Sequence, residues 1–406
     1  MPLGASSTAT ARRALAVAGT LAIVAPPVVL GVLVARYARN LPWADQWGLV
    51  PFMAEATHGR FPPAYLWYQV NEHRIPAALL LQGTVAWCTR WDVRFDAWTN
   101  VAIAVGSVCA LAALARRTLR PTAPDAVPWV AAVCAALVCS PASGASWTAA
   151  WITPAFLAAL AAALLAWMVA GATGSWPRLV AMVLCATGGA LAFGSGMLLL
   201  VLLPAAVLAM PGPPIARRAL QATAAALCGG LLIPVYFIGW RPRPGMSPPV
   251  FHADRWLDYG SYALAYVGAG IGVLEHHAAT QYGLVMAGVL AAATAWLAVR
   301  RPDLRASLGP WWRLAIFGLG NGFVTAYGRL DNGVGTATLP RYIPTSALFA
   351  ASTVAVATLA VADVARRARA LGGALLAVGL LLVLVAAGRY RDGGRVGIGE
   401  MARTAR

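Results

Sequence analysis

The sequence is dominated by long runs of residues that contain no aspartate, glutamate or arginine. These runs cover residues 14–35, 97–115, 126–177, 179–216, 219–240, 276–299, 314–328, 342–362 and 370–388. Crossing the hydrocarbon core of a bilayer as a helix takes about 20 mostly apolar residues. We therefore predict an all-α fold, a polytopic transmembrane helical bundle that forms a single integral membrane domain over residues 1–406.

The composition supports this class and excludes others. Hydrophobic residues make up 60% of the chain and charged residues 11%, whereas soluble domains have about 45–50% and about 25%. A soluble enzyme, a disordered chain and a nucleic-acid-binding domain are thereby excluded, despite a net charge of +17. All the basic residues are arginine, and arginines in short loops between apolar helices indicate membrane orientation rather than a nucleic-acid partner.

Two of the long runs contain internal breaks. Residues 126–177 are long enough for two spans, and Ser140–Gly144 within them is typical of a turn. In the run 179–216, residues Phe193–Gly196 predict a tight reversal between two shorter helices. Counting both breaks gives eleven spans, of which residues 311–328 form the weakest.

Orientation follows from the arginine clusters and from two shorter apolar runs, 75–89 and 259–274. With the N-terminus cytoplasmic and both short runs lying along the outer surface, every arginine cluster becomes cytoplasmic, as the positive-inside bias requires. These clusters are Arg116/Arg117/Arg120, Arg217/Arg218, Arg300/Arg301/Arg305 and Arg366/Arg367/Arg369.

The two short runs then form juxtamembrane helices in two outer loops, 38–96 and 239–279. A flexible tail, 389–406, follows the last span outside. The absence of lysine and the abundance of Ala, Arg and Gly are typical of a GC-rich bacterial genome, so we predict a multi-pass protein of a bacterial plasma membrane.

Titratable groups concentrate on the outer face in this topology. All five histidines lie there, together with every acidic residue except Asp125, Asp303 and Asp363. No charged residue lies near the middle of a span, which disfavours an ion-driven pump or transporter with a buried carboxylate relay.

The first outer loop opens with a candidate catalytic acid, Asp45, flanked by Trp43 and Trp47. Tryptophan favours the membrane interface, where partial desolvation raises the pKa of a carboxylate and suits it to act as a general base. The alternative interpretation is an exposed aspartate in an aromatic-rich turn.

Four polar residues, Asn71-Glu72-His73-Arg74, form a second candidate cluster in the same loop. They come shortly before Pro76, which is typical of a first helical turn, and exposed amides at a helix N-terminus bind anions. Helix capping by Asn71 or Glu72 is the alternative. Capping explains one polar residue better than four, so we favour a functional cluster.

Two arginines flank a glycine- and threonine-rich segment near the end of the chain. Arg329 ends the ninth predicted span, and Arg341 with Tyr342 begins the tenth. Because a guanidinium binds phosphate through a planar fork of donors, both arginines are candidates for a lipid-phosphate headgroup. Snorkelling to ordinary lipids is the alternative.

Glu275-His276-His277 contains metal-binding residue types. Three adjacent residues on a helix do not all point the same way, and no further spacing supports a site. We therefore predict no cofactor, and a divalent metal at these residues stays open as the less favoured alternative.

The order of these features resembles that of polytopic GT-C glycosyltransferases, and the resemblance extends over the whole chain as topology. It rests on the early loop acid Asp45 and on the strings Asp45-Gln46-Trp47, Asn71-Glu72-His73-Arg74-Ile75, Phe193-Gly194-Ser195-Gly196 and Gly328-Arg329 with Arg341-Tyr342. These strings also resemble a pattern in uncharacterised bacterial membrane proteins close to that superfamily. Many members carry a paired acidic motif, whereas here Gln46 follows Asp45 and Glu72 is the nearest second acid.

The resemblance implies transfer of a sugar, with inversion, from a polyprenyl-phosphate donor to a cell-envelope glycan or lipid acceptor on the outer face. It implies that Asp45 and Glu72 are catalytic. Residues implied to bind substrate are Asn71, His73, Arg74, Trp47, Arg329, Arg341 and Tyr342. The expected partners are the donor, the acceptor and membrane lipids, with no nucleic acid. Two alternatives stay open, a transporter or flippase for lipid-linked glycans and a non-catalytic envelope-assembly protein.

Overall fold

The computed structural model of the chain describes residues 4–171, 174–242 and 251–405. Within these ranges, the side chains of residues 4–16, 150 and 369–385 are not described. Residues 243–250 of the predicted second outer loop and Arg406 of the predicted tail therefore lie outside the described residues. Most of the predicted eleventh span, 370–388, has no described side chains.

Helices make up nearly all of the described chain, which confirms the predicted all-α class. In chain order they are α1 Gly4–Tyr37, α2 Val50–Ala56, α3 Pro63–Leu66, α4 Pro76–Thr89, α5 Arg94–Leu119, α6 Val127–Val138, α7 Thr153–Ala170, α8 Trp176–Ala192, α9 Met197–Leu208, α10 Ile215–Phe237, α11 Trp256–Ala269, α12 His276–Arg300, α13 Arg305–Arg329, α14 Ile343–Arg367 and α15 Arg369–Thr404. Short 3-10 turns connect several of them. The two described strands, β1 Gln69–Val70 and β2 His73–Arg74, form one antiparallel hairpin.

Several helices are long and apolar enough to cross a membrane, as a multi-pass membrane protein requires. Six qualify by length and composition, and they are Val17–Tyr37, Arg94–Leu119, Thr153–Ala170, Ile215–Phe237, His276–Arg300 and Pro340–Arg367. A seventh candidate is the pair Pro124–Val138 and Pro141–Trp147, which is bent by 47°. This bend lies at the turn that the sequence predicts between the two spans of residues 126–177.

Among the described residues, the predicted count of eleven spans is not reached. The helices α8 and α9 have 17 and 12 residues, or about 26 and 18 Å at 1.5 Å per residue, which is shorter than a hydrocarbon core of about 30 Å. They turn back on each other at Gly194–Gly196, where the sequence predicts a reversal. The predicted weakest span lies in α13, which carries three arginines.

The bundle is built around α14 and α7. In their most apolar windows, 72% of residues are buried for the α14 span and 67% for α7, against 17% for α1 and 22% for α12. The outer helices instead leave large apolar side chains exposed, such as Leu21 and Val28 on α1 and Leu284 on α12. Exposed apolar faces on long apolar helices are what contact with lipid chains requires.

The run 259–274 does not lie along the surface as predicted. Instead α11 packs against α12, α13 and α14, with Tyr262 and Tyr266 fully buried. Small residues make this possible, because a Cβ atom added to Gly268 would lie 1.8 Å from the carbonyl oxygen of Ala279 on α12. The close backbone approach takes α11 into the bundle and away from an interfacial position.

The helix predicted over 75–89 is present as α4. It has 14 residues, so it is about 21 Å long. One face packs Leu79 against Phe52 and Met53 of α2 in a separate small core, while Leu80 and Trp87 are exposed. The helix is therefore confirmed, and its juxtamembrane position stays a prediction.

The C-terminal residues 389–404 are helical and packed rather than flexible. Met401 is completely buried, and a Glu400 carboxylate oxygen accepts a 3.1 Å hydrogen bond from the amide of Ala145. Gly397 lies against Pro141, with no room for a Cβ atom. Glycines that look like a flexible tail in the sequence thus allow the helix to pack closely on the Pro141–Trp147 turn.

Close packing of α11 on α12 predicts that Gly283→Ala destabilises the protein. The new Cβ would lie 2.0 Å from the carbonyl oxygen of Leu264, so the two helices must separate. Overpacking of this kind lowers the free energy of unfolding by about 1–3 kcal/mol. Thermal unfolding in detergent measures the loss, and Gly288→Ala on the same helix is the control, since no atom lies within 4 Å of its added Cβ. Equal midpoints for both variants would contradict the packing argument.

Candidate functional site

The cluster Asn71–Arg74 forms the turn and second strand of the β-hairpin. Strand β1 pairs with β2 in the register Gln69 to Arg74 and Val70 to His73, which leaves Asn71 and Glu72 as the two-residue turn. Asn71 has a φ of +52°, a left-handed conformation that asparagine tolerates better than most residues. Pro76 begins α4 as predicted, but Ile75 is the N-cap and makes no side-chain cap. The capping interpretation is therefore wrong for these residues.

Glu72 at the tip of the hairpin is paired with Arg329 at the end of α13. An Arg329 guanidinium nitrogen donates to a Glu72 carboxylate oxygen at 2.8 Å, and each side chain is 24% exposed. Trp240 adds a bond, because its indole N–H donates to the Glu72 carbonyl at 3.0 Å. The structure thus joins two predicted site residues that are 257 positions apart.

His73 lies beside this ion pair and packs on the turn between α8 and α9. Its ring centroid is 4.7 Å from that of Phe193, and a Cβ atom on Gly194 would lie 2.6 Å from its Nδ1 atom. Burial lowers the pKa of the imidazole to about 4; Glu72 raises that pKa, while Arg329 and Arg341 lower it further. The ring is therefore neutral at pH 7, and the glycine turn provides the space it occupies.

Arg341 completes the cluster and has no carboxylate partner among the described residues. Its guanidinium carbon lies 5.9 Å from the ring centroid of Trp151 and 5.1 Å from that of Tyr342. Such cation–π contacts orient a guanidinium without neutralising it. Tyr342 itself is buried and packs on Tyr266, with ring centroids 5.3 Å apart. It supports Arg341 and presents little surface to a substrate.

Asp45 joins the cluster through the hairpin turn. The side-chain amide of Asn71 donates to an Asp45 carboxylate oxygen at 2.7 Å. Asp45 is exposed on the protein surface, and Trp43 and Trp47 beside it are exposed as well, so its predicted desolvation at the membrane interface stays a prediction. The next residue, Gln46, is buried and accepts a 3.0 Å hydrogen bond from the amide of Trp43.

Arg74 has a different place from the one that the sequence predicts. It is 6% exposed, and its guanidinium donates to the carbonyls of Trp67, Tyr236 and Ile238, the last two at 3.0 and 2.6 Å. Its backbone amide donates to the Tyr236 hydroxyl at 2.8 Å. With its donors taken by the protein, Arg74 fastens the hairpin to the end of α10 and does not face a substrate. The prediction that it binds substrate is corrected.

The described residues therefore bring most of the predicted site together. We call the group Asp45, Asn71, Glu72, His73, Arg329 and Arg341 the hairpin site. Trp47 is exposed nearby and makes no described polar contact. Sequence reasoning missed Trp151, Tyr236 and Trp240, which support residues of the site, and it named Phe193 only as part of the predicted reversal and not as a contact of His73. Their only signal in the sequence was an aromatic residue beside a predicted break or span end.

The residues Glu275, His276 and His277 also come together. Their potential ligand atoms lie within 4.8 Å of one another, so the argument from helix geometry is wrong here, because Glu275 precedes α12 as its N-cap. Its two carboxylate oxygens accept hydrogen bonds from the amides of His277 and Ala278, at 2.8 and 2.7 Å. The carboxylate therefore already has a structural role, and the predicted absence of a metal stays a prediction.

Comparison with known proteins leaves the family open. No model of a known protein family matches the chain, and no curated protein sequence matches it. The resemblance to GT-C glycosyltransferases therefore stays a hypothesis, and the geometry of the hairpin site carries the functional argument.

The burial of His73 predicts a stability that falls in mildly acidic solution. With a folded pKa of about 4 against about 6.5 unfolded, the unfolded chain takes up a proton that the folded protein does not. Stability is thus full above pH 6.5 and decreases as the pH falls towards 4, by about 3 kcal/mol at most. Thermal unfolding of wild type and His73→Gln across this range measures the effect. The variant should show the shallower dependence, and parallel curves would contradict a partly buried ring that stays neutral in the folded protein.

Arg74 predicts a larger stability loss than other arginines of the first loop. Arg74→Lys removes the planar fork and leaves two or three carbonyl groups without donors, which costs about 1–3 kcal/mol for each buried group. Arg60→Lys is the matched control, because Arg60 is exposed and its one ion pair among the described residues is with Glu55. Thermal unfolding and limited proteolysis of the loop between α1 and α5 report the difference. Equal unfolding midpoints and equal proteolysis of the two variants would show that Arg74 does not hold the hairpin to the end of α10.

Proposed function

We propose that the protein is a membrane glycosyltransferase that uses a polyprenyl-phosphate sugar as donor, with the hairpin site as its active site. One observation carries this proposal. Arg341, which has no carboxylate partner among the described residues, lies with a neutral histidine and an Arg–Glu pair at one end of an apolar bundle, and Asn71 of the same hairpin binds the exposed carboxylate of Asp45. A phosphate-binding cation and a base at the membrane surface are what transfer from a lipid-phosphate donor requires.

Arg341 is the group best suited to bind the donor phosphate. Its charge is not neutralised by the described residues, and its guanidinium lies near the rings of Trp151 and Tyr342. A guanidinium can donate two parallel hydrogen bonds to a phosphate. In the transition state the phosphate oxygen gains charge as its bond to the sugar breaks, so a preorganised cation there lowers the barrier.

Asp45 is the proposed general base. An acceptor hydroxyl attacks the anomeric carbon from the face opposite the phosphate, a new carbon–oxygen bond forms, and the bond between anomeric carbon and phosphate oxygen breaks. The acceptor proton goes to the Asp45 carboxylate and polyprenyl phosphate leaves, so the anomeric configuration inverts. The 2.7 Å bond from Asn71 orients this carboxylate while it stays open to the surroundings.

The ion pair of Glu72 and Arg329 is proposed to lie between Asp45, the general base, and Arg341, which binds the donor phosphate. Because Glu72 already binds Arg329, it is a positioning residue in this proposal, and Arg329 reaches the donor phosphate only with its remaining donors. His73 is neutral, so it adds no charge and its ring offers a hydrogen-bonding surface to the acceptor. Exposed aromatic side chains of the same loop, Trp43, Trp47 and Tyr68, provide faces on which sugars stack.

The position of the hairpin site suits a donor that arrives through the membrane. The end of α10 binds Arg74 of the hairpin, the end of α13 carries Arg329, and Arg341 lies just before α14. Spanning helices deliver these ends to one surface of the bundle, and we propose that this is the outer surface of a bacterial plasma membrane, with the N-terminus cytoplasmic. A lipid-phosphate group then enters sideways at the level of Arg341.

The proposal predicts that Asp45→Asn abolishes transfer without loss of protein. Removal of a general base reduces the rate by at least about a hundredfold, and an exposed Asp-to-Asn change leaves the bundle intact. Lipid-linked sugars and surface glycans of a deletion strain, complemented with wild type or variant, are compared by mass spectrometry. Wild type alone should remove an accumulated polyprenyl-phosphate sugar and restore one glycan residue.

A matched control variant makes this comparison specific. Asp254→Asn changes another exposed acid that has no described ion pair, and it should behave as wild type. Restoration by Asp45→Asn would remove Asp45 from the mechanism. No change in any lipid-linked sugar on deletion would favour a non-catalytic assembly protein, while a polyprenyl-linked glycan retained on the inner leaflet would favour a flippase.

A further inference from the structure

A second concentration of arginine lies at the far end of α5 from the hairpin site. Arg116, Arg117 and Arg120 line a depression of about 670 Å³ together with Ala113, Pro121 and Trp167; we call it the arginine basin. Along the 26 residues of α5, the two ends are about 39 Å apart. The basin is therefore a separate feature, and the proposed chemistry does not use it.

The basin is built on one face of a helix. Ala113, Arg116, Arg117 and Arg120 have the spacing i, i+3, i+4, i+7, which places them in one stripe, and Trp167 of α7 faces this stripe. The three guanidinium groups are exposed. Like charges at this spacing repel each other on a helix, so the stripe gains stability when an anion binds.

Two further arginines, Arg178 and Arg366, add to this positive charge. Arg178 donates to the carbonyl oxygen of Gly171, a residue that Arg117 of the basin also contacts. Arg366 donates to the carbonyl of Thr122, next to Pro121 in the wall of the basin. Among the described residues, no carboxylate lies within ion-pair distance of any of these five arginines.

A second group of arginines, Arg301 and Arg367, differs from the basin because it has carboxylate partners. Arg301 pairs with Asp303 at 2.7 Å and with Asp363 at 3.3 Å, and Arg367 pairs with Asp363 at 3.0 Å. The protein therefore supplies its own counter-charges at that group. At the basin, no described carboxylate lies within ion-pair distance, and the positive charge is available to a ligand.

We propose that the arginine basin binds the phosphate headgroup of an anionic phospholipid. Guanidinium groups bind phosphate through paired, charge-assisted hydrogen bonds, and basic pockets between apolar helices suit anionic headgroups. Trp167, partly exposed on an apolar helix, provides the amphipathic wall that the headgroup region favours. The α7 helix and the apolar Ala113 give the acyl chains an apolar surface beside the three arginines.

Native mass spectrometry of the purified full-length protein tests this site. The protein is titrated in detergent with dioleoyl phosphatidylglycerol or with dioleoyl phosphatidylcholine, and bound lipids are counted. We expect phosphatidylglycerol to bind at least about tenfold more tightly, and the triple variant Arg116→Gln, Arg117→Gln, Arg120→Gln to lose at least about tenfold of that affinity. Equal binding of the two lipids would overturn the proposal.

A charge-matched control separates the basin from general electrostatics. Arg217→Gln, Arg300→Gln and Arg305→Gln remove the same charge from three exposed arginines outside the basin, and this variant should keep wild-type affinity. An equal loss in both triple variants would overturn a specific site. Full competition by millimolar inorganic phosphate would assign the basin to free phosphate and overturn the lipid.

A charge-neutral variant keeps the test valid if the triple variant does not fold. Ala113→Phe fills the floor of the basin without removing an arginine, and size-exclusion chromatography verifies that it stays monodisperse. We expect it to lower phosphatidylglycerol affinity while Ala112→Phe, one position away, does not. Unchanged affinity in a folded Ala113→Phe protein would overturn the proposal.

Discussion

The hairpin site depends on one interaction, the fastening of Arg74 to the end of α10. The last carbonyl groups of a helix have no partner within the helix and carry partial negative charge. Arg74 donates to two carbonyls at this end, those of Tyr236 and Ile238, and to Trp67 within its own loop. This fastening holds the hairpin at the end of α10. From there Asn71 in the turn binds Asp45, and Glu72 binds Arg329 at the end of α13.

Charge is balanced differently at the two ends of the bundle. At the hairpin site, Glu72 neutralises Arg329, so that among the described residues Arg341 is left without a counter-charge for an incoming phosphate. At the arginine basin, no described carboxylate lies within ion-pair distance of the arginines. An uncompensated charge in an apolar setting is costly, so both places are suited to an anionic ligand. In our proposals the hairpin site, with one such arginine, binds the donor phosphate, and the basin, with several, binds a phospholipid headgroup.

Glycine determines how closely the segments around the site approach one another. Gly194 leaves room for the His73 ring, Gly268 and Gly283 bring α11 against α12, and Gly397 brings α15 against the Pro141–Trp147 turn. That turn packs on the segment that carries Arg341. The position of the candidate phosphate-binding arginine therefore rests on packing from the C-terminal helix, which the sequence presents as a glycine-rich tail.

The sequence by itself determined the helical class, the apolar character, the breaks at 140–144 and 193–196, and the segments that hold polar side chains, because these depend on local composition. It named all six hairpin-site residues as candidates but did not separate Arg74 from Arg341, which are the same residue type in similar contexts. Only the tertiary structure decided that Arg74 is a buried clamp, that Arg341 has no carboxylate partner among the described residues, that Asp45 is exposed, and that α11 is buried. Each outcome depends on contacts between segments far apart in the chain, whose geometry is set by helix packing and leaves no local pattern.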